Sequence, residues 1–207
     1  MKHRRRTTHI NPRLLYTHDG GVGDESELQD TAIKAGSVID GRSIVLEKCH
    51  LNRTRILHAP GIRVTTCNLE TVDAANAMLD DSAWKDVLVS ESRWTGARIN
   101  FANITNSSFE HCQMNHAQMQ EATFKKVRLE SCDLRGAYFN GSQMQGTKFE
   151  GSDLTGADFT RADISKCDFR RANIEDIRIA PEQLQGVIVT PDQALYLARL
   201  LGLDVRE

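Results

Sequence analysis

Seven histidines, five cysteines and 28 acidic side chains are the groups through which this 207-residue chain could do chemistry. Cys49-His50 and Cys112 with His116 have the look of metal-ligand fragments, because thiolate and imidazole are the donors that zinc takes. The histidines His3, His9, His18, His50, His58, His111 and His116 show no spacing that sets two of them beside a carboxylate. Gly20-Gly21-Val22-Gly23 is glycine-rich like a phosphate cradle, but no Gly-Lys-Ser/Thr follows it, so it reads as a hinge. No nucleophile elbow is present. The carboxylates are the remaining candidates, and they recur in a pattern. Glu110, Glu130 and Glu150 follow one another at one fixed interval, and Glu70 stands two such intervals before Glu110. Asp73, Asp133 and Asp153 keep the same interval or its multiples.

That spacing is a multiple of a shorter one. From residue 62 to residue 179 every fifth position, from Val64 through Phe109, Phe139 and Phe159 to Ile179, is apolar. Two residues before each stands a small or apolar residue such as Cys67, Ala97, Ala137 or Ala157. These 24 units hold 48 such positions and none is charged. About a quarter of an ordinary chain is charged, so composition does not explain this. A period of five fits neither a helix nor a flat strand. It fits a chain that turns a corner every five residues, with two residues of each side facing inward. Four such sides close a square coil, and coils stack about 4.8 Å apart through backbone hydrogen bonds, so the six coils span about 29 Å. Glycines 96, 136, 141, 146, 151 and 156 all fall two residues after the apolar position, where a type II turn needs positive φ. Pro12, Pro60, Pro181 and Pro191 all lie outside the run, as expected of a residue that cannot donate to a ladder.

On this frame Cys49, Cys67, Cys112, Cys132 and Cys167 all point inward as small core hydrophobes. Cys112 and Cys132 are stacked closely enough for a bridge, although reduced thiols are expected in a cytosolic protein. His50 and His116 point outward, away from their cysteines, so no metal site is expected. The outward residues form columns. Glu70, Glu110, Glu130 and Glu150 stand beside Asp73, Asp133 and Asp153 and make an acidic ridge along one corner. The preceding corner is basic, with Lys85, Lys125, Lys126, Arg128, Lys148 and Lys166. Arg128 and Lys148 flank the same side as Glu130 and Glu150, so pairing across that side is the plain alternative to a bare ridge. Phe101, Tyr138 and Leu88 are also outward. A flat side offers no enforced pocket, so the chain is read as a non-enzyme without cofactor.

The terminal segments are additions to one solenoid. Residues 1–36 comprise a basic tail, with Lys2, Arg4, Arg5, Arg6 and Arg13 and no acid before residue 19, and a short helix expected over 26–35 that ends at Gly36. Residues 37–179 are the β-helix. Its first pairs (Ile44/Leu46, Cys49/Leu51 and Thr54/Ile56) run in a different frame, and three extra residues are expected to bulge a corner at 57–61. Residues 180–207 hold a helix that starts at Thr190-Pro191-Asp192-Gln193 with a capping box and ends at Gly202. Its Ala194, Leu195, Leu197, Ala198, Leu200 and Leu201 are more apolar than a cap alone requires. The net charge of −2 names no partner, and no apolar run suits a membrane span. A cytoplasmic protein is expected.

Ser152-Asp153-Leu154-Thr155-Gly156, Ala157-Asp158-Phe159 and Ala162-Asp163-Ile164 resemble the motif of the pentapeptide-repeat family. The resemblance implies an all-β fold, a right-handed quadrilateral β-helix, with a short C-terminal α-helix. It is similar in kind to the members that protect DNA gyrase or topoisomerase IV from poisons and so give antibiotic resistance. In those, a helix of this sort builds a two-fold dimer, which here would use Ala194 to Leu201. The resemblance therefore implies a homodimeric DNA mimic that meets a type II topoisomerase through the acidic ridge. A scaffold with another protein partner is the alternative. Direct nucleic-acid binding, through residues 1–13 and the lysine corner, ranks last.

Overall fold

The computed structural model describes residues 16–18 and 21–206; the basic segment 1–13 lies outside them. The chain winds as a four-sided β-helix. One side is a ladder of seven parallel strands: Tyr16–His18, Thr31–Ile33, His50–Asn52, Asn68–Glu70, Leu88–Ser90, Ser108–Glu110 and Arg128–Glu130. The side before it is a six-stranded parallel ladder from Glu27–Gln29 to Thr123–Lys125. The other two sides are built mainly of single parallel bridges, one through Asp73, Arg93, Gln113, Asp133, Asp153 and Asn173 after a two-stranded ladder of Val38–Ile39 and Arg55–Ile56, the other through Met78, Arg98, Gln118, Tyr138 and Asp158. Each of these partners lies one whole coil from the next. We number the sides first to fourth from the seven-stranded ladder onward.

The inward residues form one continuous column. Phe149 stacks on Phe169 at 5.0 Å between ring centroids and Phe139 on Phe159 at 4.8 Å, each ring above its counterpart in the neighbouring coil. Trp84 and Trp94 meet edge to face at 5.7 Å. All five cysteines are buried and free. The corner conformation belongs to the coil and not to glycine. Among the described residues twenty-two that are not glycine, including Phe101, Lys126 and Arg171, have φ between 48° and 66°. Each left-handed residue of this kind costs about 1–2 kcal/mol, which the stacked ladder must offset. Gly141 is a corner where more than φ is at stake: a Cβ there would lie 2.3 Å from Glu121 Oε1.

The N-terminal part departs from expectation in three places. No helix forms over 26–35; Glu27–Gln29 and Thr31–Ile33 are strands, with Thr31 and Ile33 inward. Their period-2 pattern is satisfied by pairing with Val45–Glu47 and His50–Asn52, and the ladder overrides the cap signals at Ser26 and Gly36. The Gly21-Val22-Gly23 stretch belongs to the wall, since Val22 is buried and bridges Ile39. Finally, the frame shift is a deficit and not an insertion. Glu27, Val45 and Arg63 pair in turn, and each of these steps is shorter by two than the step from Arg63 to Ala83. Arg55 bridges Asp73 while His58 bridges Met78, so two corner residues are missing after Ile56. Ala59 then resumes the frame, buried at the position that Leu79 fills in the next coil, while Leu57, level with Ala77, stays exposed.

The far end is closed by two copies of one device. Pro181–Leu184 is a 3-10 turn and Pro191–Leu200 an α-helix. Gln183 accepts from Ala180 N–H through Oε1 and donates through Nε2 to the carbonyls of Phe159 and Ala162. Gln193 accepts from Thr190 N–H and donates to the carbonyls of Phe169 and Ala172. Each glutamine therefore caps its own helix start and satisfies two carbonyls of the open coil.

Candidate interaction surface

The acidic ridge stands where the sequence places it, at the corner between the first and second sides, but it is not bare. Arg93 grips Asp73 with two hydrogen bonds, the shorter 2.7 Å, and Arg135 grips Asp133 in the same way at 2.7 Å. Arg135 also stands 3.9 Å from Asp153. Arg128 pairs with Glu130, and Arg171 reaches Glu150 at 2.7 Å. Lys148 is not the partner of Glu150. Glu70 takes a hydrogen bond from Asn52 at 3.2 Å and Glu110 one from Ser108 at 3.2 Å. Five of the seven ridge carboxylates thus face an arginine. The hydrogen bonds from Arg93 and Arg135 hold the Asp73 and Asp133 carboxyls below the usual carboxylate range. Asp168, one column away, is held down by Arg170 in the same way.

The basic corner between the fourth and first sides differs. Lys85, Lys125, Lys126, Lys148 and Lys166 are all exposed. Among the described residues none of these five lysines takes part in an ion pair; Lys48, earlier along the same corner, pairs with Glu47 at 3.6 Å, and the other ion pairs on these two sides use arginine. The carboxylates on the fourth side between residues 82 and 166 are Asp86 and Asp163, and they receive hydrogen bonds from Asn106 and from Ser165.

The C-terminal helix has two apolar faces. Leu197 is only 6% exposed against the last coil, so of the residues read as a dimer interface it is the one already in use. The Tyr196 hydroxyl accepts from the Asp176 N–H at 2.7 Å and fixes the helix over the second side. Leu195, Leu200, Leu203 and Val205 remain exposed, and Ala194 lies exposed beside them. Elsewhere Phe101 is 56% exposed and Tyr138 and Met78 share its side, while Leu88 is half-buried.

The thiols are packing groups. Cys49 N–H donates to Cys67 Sγ at 3.3 Å, and Cys112 and Cys132 donate to main-chain carbonyls. Burial pushes the Cys167 thiol up to about 12. Among the described residues no group of three or more His, Cys, Asp or Glu side chains is placed to hold a metal. Among the same residues no helix is long and apolar enough to cross a membrane.

Residues 102–179 match the model of the pentapeptide repeat region. The chain carries a pentapeptide repeat. Its coils extend the repeat well before residue 102, in the ladder already described. Among solved structures it is similar to HetL, a pentapeptide repeat protein involved in heterocyst differentiation regulation from the cyanobacterium Nostoc, at 15% identity over 82% of this chain and 90% of that one, with a TM-score of 0.43. It is also similar to QnrB1, a plasmid-mediated fluoroquinolone resistance protein, at 18% identity over 90% of this chain and 100% of that one, with a TM-score of 0.45. A pentapeptide repeat protein of the Arabidopsis thaliana thylakoid lumen matches at 16% identity over 64% and 74% of the two chains, with a TM-score of 0.24. At such identities the likeness is one of fold. None of the curated proteins matches the chain.

Proposed function

We propose that this chain is a non-catalytic protein-interaction rod that pairs with a second copy through its C-terminal helix. The observation that carries the reading is the division of that helix. Leu197 and Tyr196 complete the end of the coil, yet Leu195, Leu200 and Leu203 stay in water. Apolar side chains grouped beyond the needs of a cap mark a contact. Light scattering on Leu195→Asp/Leu200→Asp tests it. The wild type is expected as a dimer and the variant as a folded monomer; a monomeric wild type would overturn the reading.

The narrower reading names the partner as a type II topoisomerase, DNA gyrase or topoisomerase IV, met by DNA mimicry and protected from its poisons. The length of the rod and the ridge of carboxylates from Glu70 to Asp153, interrupted at Ser90 and Arg93, support it. The arginines on the ridge weaken it, since a phosphate mimic needs carboxylates whose charge is not already met. The reading predicts that the protein, added to a gyrase supercoiling assay with a fluoroquinolone, restores supercoiling. No change at micromolar excess would sink it.

A further inference from the structure

We propose that the corner lined by Lys85, Lys125, Lys126, Lys148 and Lys166 binds the phosphate backbone of double-stranded nucleic acid. The net charge of −2 argues against such binding, but net charge is the wrong measure for this molecule. On the ridge, opposite charges are spent on each other within hydrogen-bonding distance. On the lysine corner they are not. Asp86, Asp163 and Asp168 sit on the same two sides and are occupied by Asn106, Ser165 and Arg170. Asp86 and Asp163 keep their charge, because an amide and a hydroxyl are neutral donors, and Asp168 stacks on Lys148; none of the three is ion-paired to any of the five lysines, so the corner presents an excess of ammonium groups open to a ligand.

The form of the ligand follows from the form of the corner. Lys85 and Lys166 are about four coils apart, so the line is about 19 Å long and straight along the rod. One strand of duplex DNA passes about five or six phosphates in that distance at 3.4 Å each. Lysine is a point charge on a flexible stem and suits a phosphate track read without sequence. The exposed Ile188 lies in the Lys148 column but two coils beyond Lys148, past the end of the lysine line, and Phe101, Tyr138 and Met78 belong to the third side and not to this corner. Unpaired bases would find no stacking platform there, and a lipid surface no apolar anchor. The exposed amide of Gln143 on the fourth side adds a further donor to phosphate oxygens.

Fluorescence anisotropy with a labelled duplex of about 20 base pairs at about 50 mM KCl tests the proposal on the full chain. Lys125→Gln/Lys126→Gln/Lys148→Gln is expected to bind at least tenfold more weakly, while Arg93→Gln/Arg135→Gln on the ridge changes affinity less than threefold. All five positions are on the surface, and unchanged circular dichroism and melting would show that the coil is intact. The proposal is overturned if the wild type does not bind. It is also overturned if deleting residues 2–13 abolishes binding that the lysine variant leaves untouched, which would assign the activity to the tail. Polyglutamate displacing the duplex at equal charge would overturn it too, in favour of an acidic protein surface. None of these outcomes bears on the dimer, which light scattering reads separately.

Discussion

The two corners that flank the first side carry similar numbers of charges and do opposite things with them. At the Glu150 corner, arginines from the same or a neighbouring coil reach the carboxylates, and the charges cancel. At the Lys148 corner Lys126 and Lys166 have Asn106 and Gly146 as neighbours in their column, and Lys148 stacks between Arg128 and an Asp168 already gripped by Arg170, so these cations keep their charge. The difference lies in side-chain reach. Arginine spans two positions along a side or one coil along the axis, and its fork matches a carboxylate. The corner with most acid is thus not the corner with most unmet charge, and a solenoid's surface has to be read pair by pair.

The most damaging change would remove the wall behind both corners. Phe149 lies on the first side between them, stacked on Phe169. Phe149→Ala should cost about 3–5 kcal/mol in urea unfolding, and both corners should lose their ordering together. A loss below about 1 kcal/mol would mean that the coils do not depend on this column.

A smaller effect separates the corners. Arg135→Gln should lower the urea midpoint only slightly at neutral pH, because the guanidinium lies in solvent and the pair is screened. The Asp133 carboxyl is depressed in the folded state, chiefly by its hydrogen bond to Arg135. Its contribution is therefore fully present above the ordinary aspartate value near 3.9 and is lost as pH falls through the lower folded value. Wild type and variant should differ in urea midpoint at pH 6 and converge toward about pH 2. A difference that persists unchanged in acid would place the interaction elsewhere. The smallest effect belongs to the other corner. Lys125→Gln/Lys126→Gln should change stability by less than about 0.5 kcal/mol, since no partner is lost. A larger cost would reveal an ion pair and erase the contrast.

Much of this molecule is legible in its sequence because each coil repeats one local rule. The inward residues, the buried cysteines and the Thr190 helix start follow from spacing alone. What escaped has specific physical causes. After Ile56 the exposed Leu57 stands where a small inward residue is expected and Ala59 fills the large position, so a shortened side looked like a full side with an insertion. At 26–35, Ser and Gly imitate helix caps around a segment whose partners lie a whole coil further on. Ala180-Pro181-Glu182-Gln183 foreshadows Thr190-Pro191-Asp192-Gln193, but alanine hides the cap, and the role of each glutamine depends on carbonyls of the previous coil. On the ridge, columns show what stacks and not how far a side chain reaches, so Arg135 and Arg171 were missing from the charge count.

The salt dependence of duplex binding tests most directly whether unmet charge lies on the lysine corner. Each phosphate neutralised contributes about −0.9 to the slope of log K against log [KCl], so the wild type should give about −3 to −4.5. Lys125→Gln/Lys126→Gln/Lys148→Gln should flatten that slope by about 2 to 3, and Arg93→Gln/Arg135→Gln should leave it nearly unchanged. A flat wild-type slope, or one that responds to the ridge arginines and not to the lysines, would contradict the account.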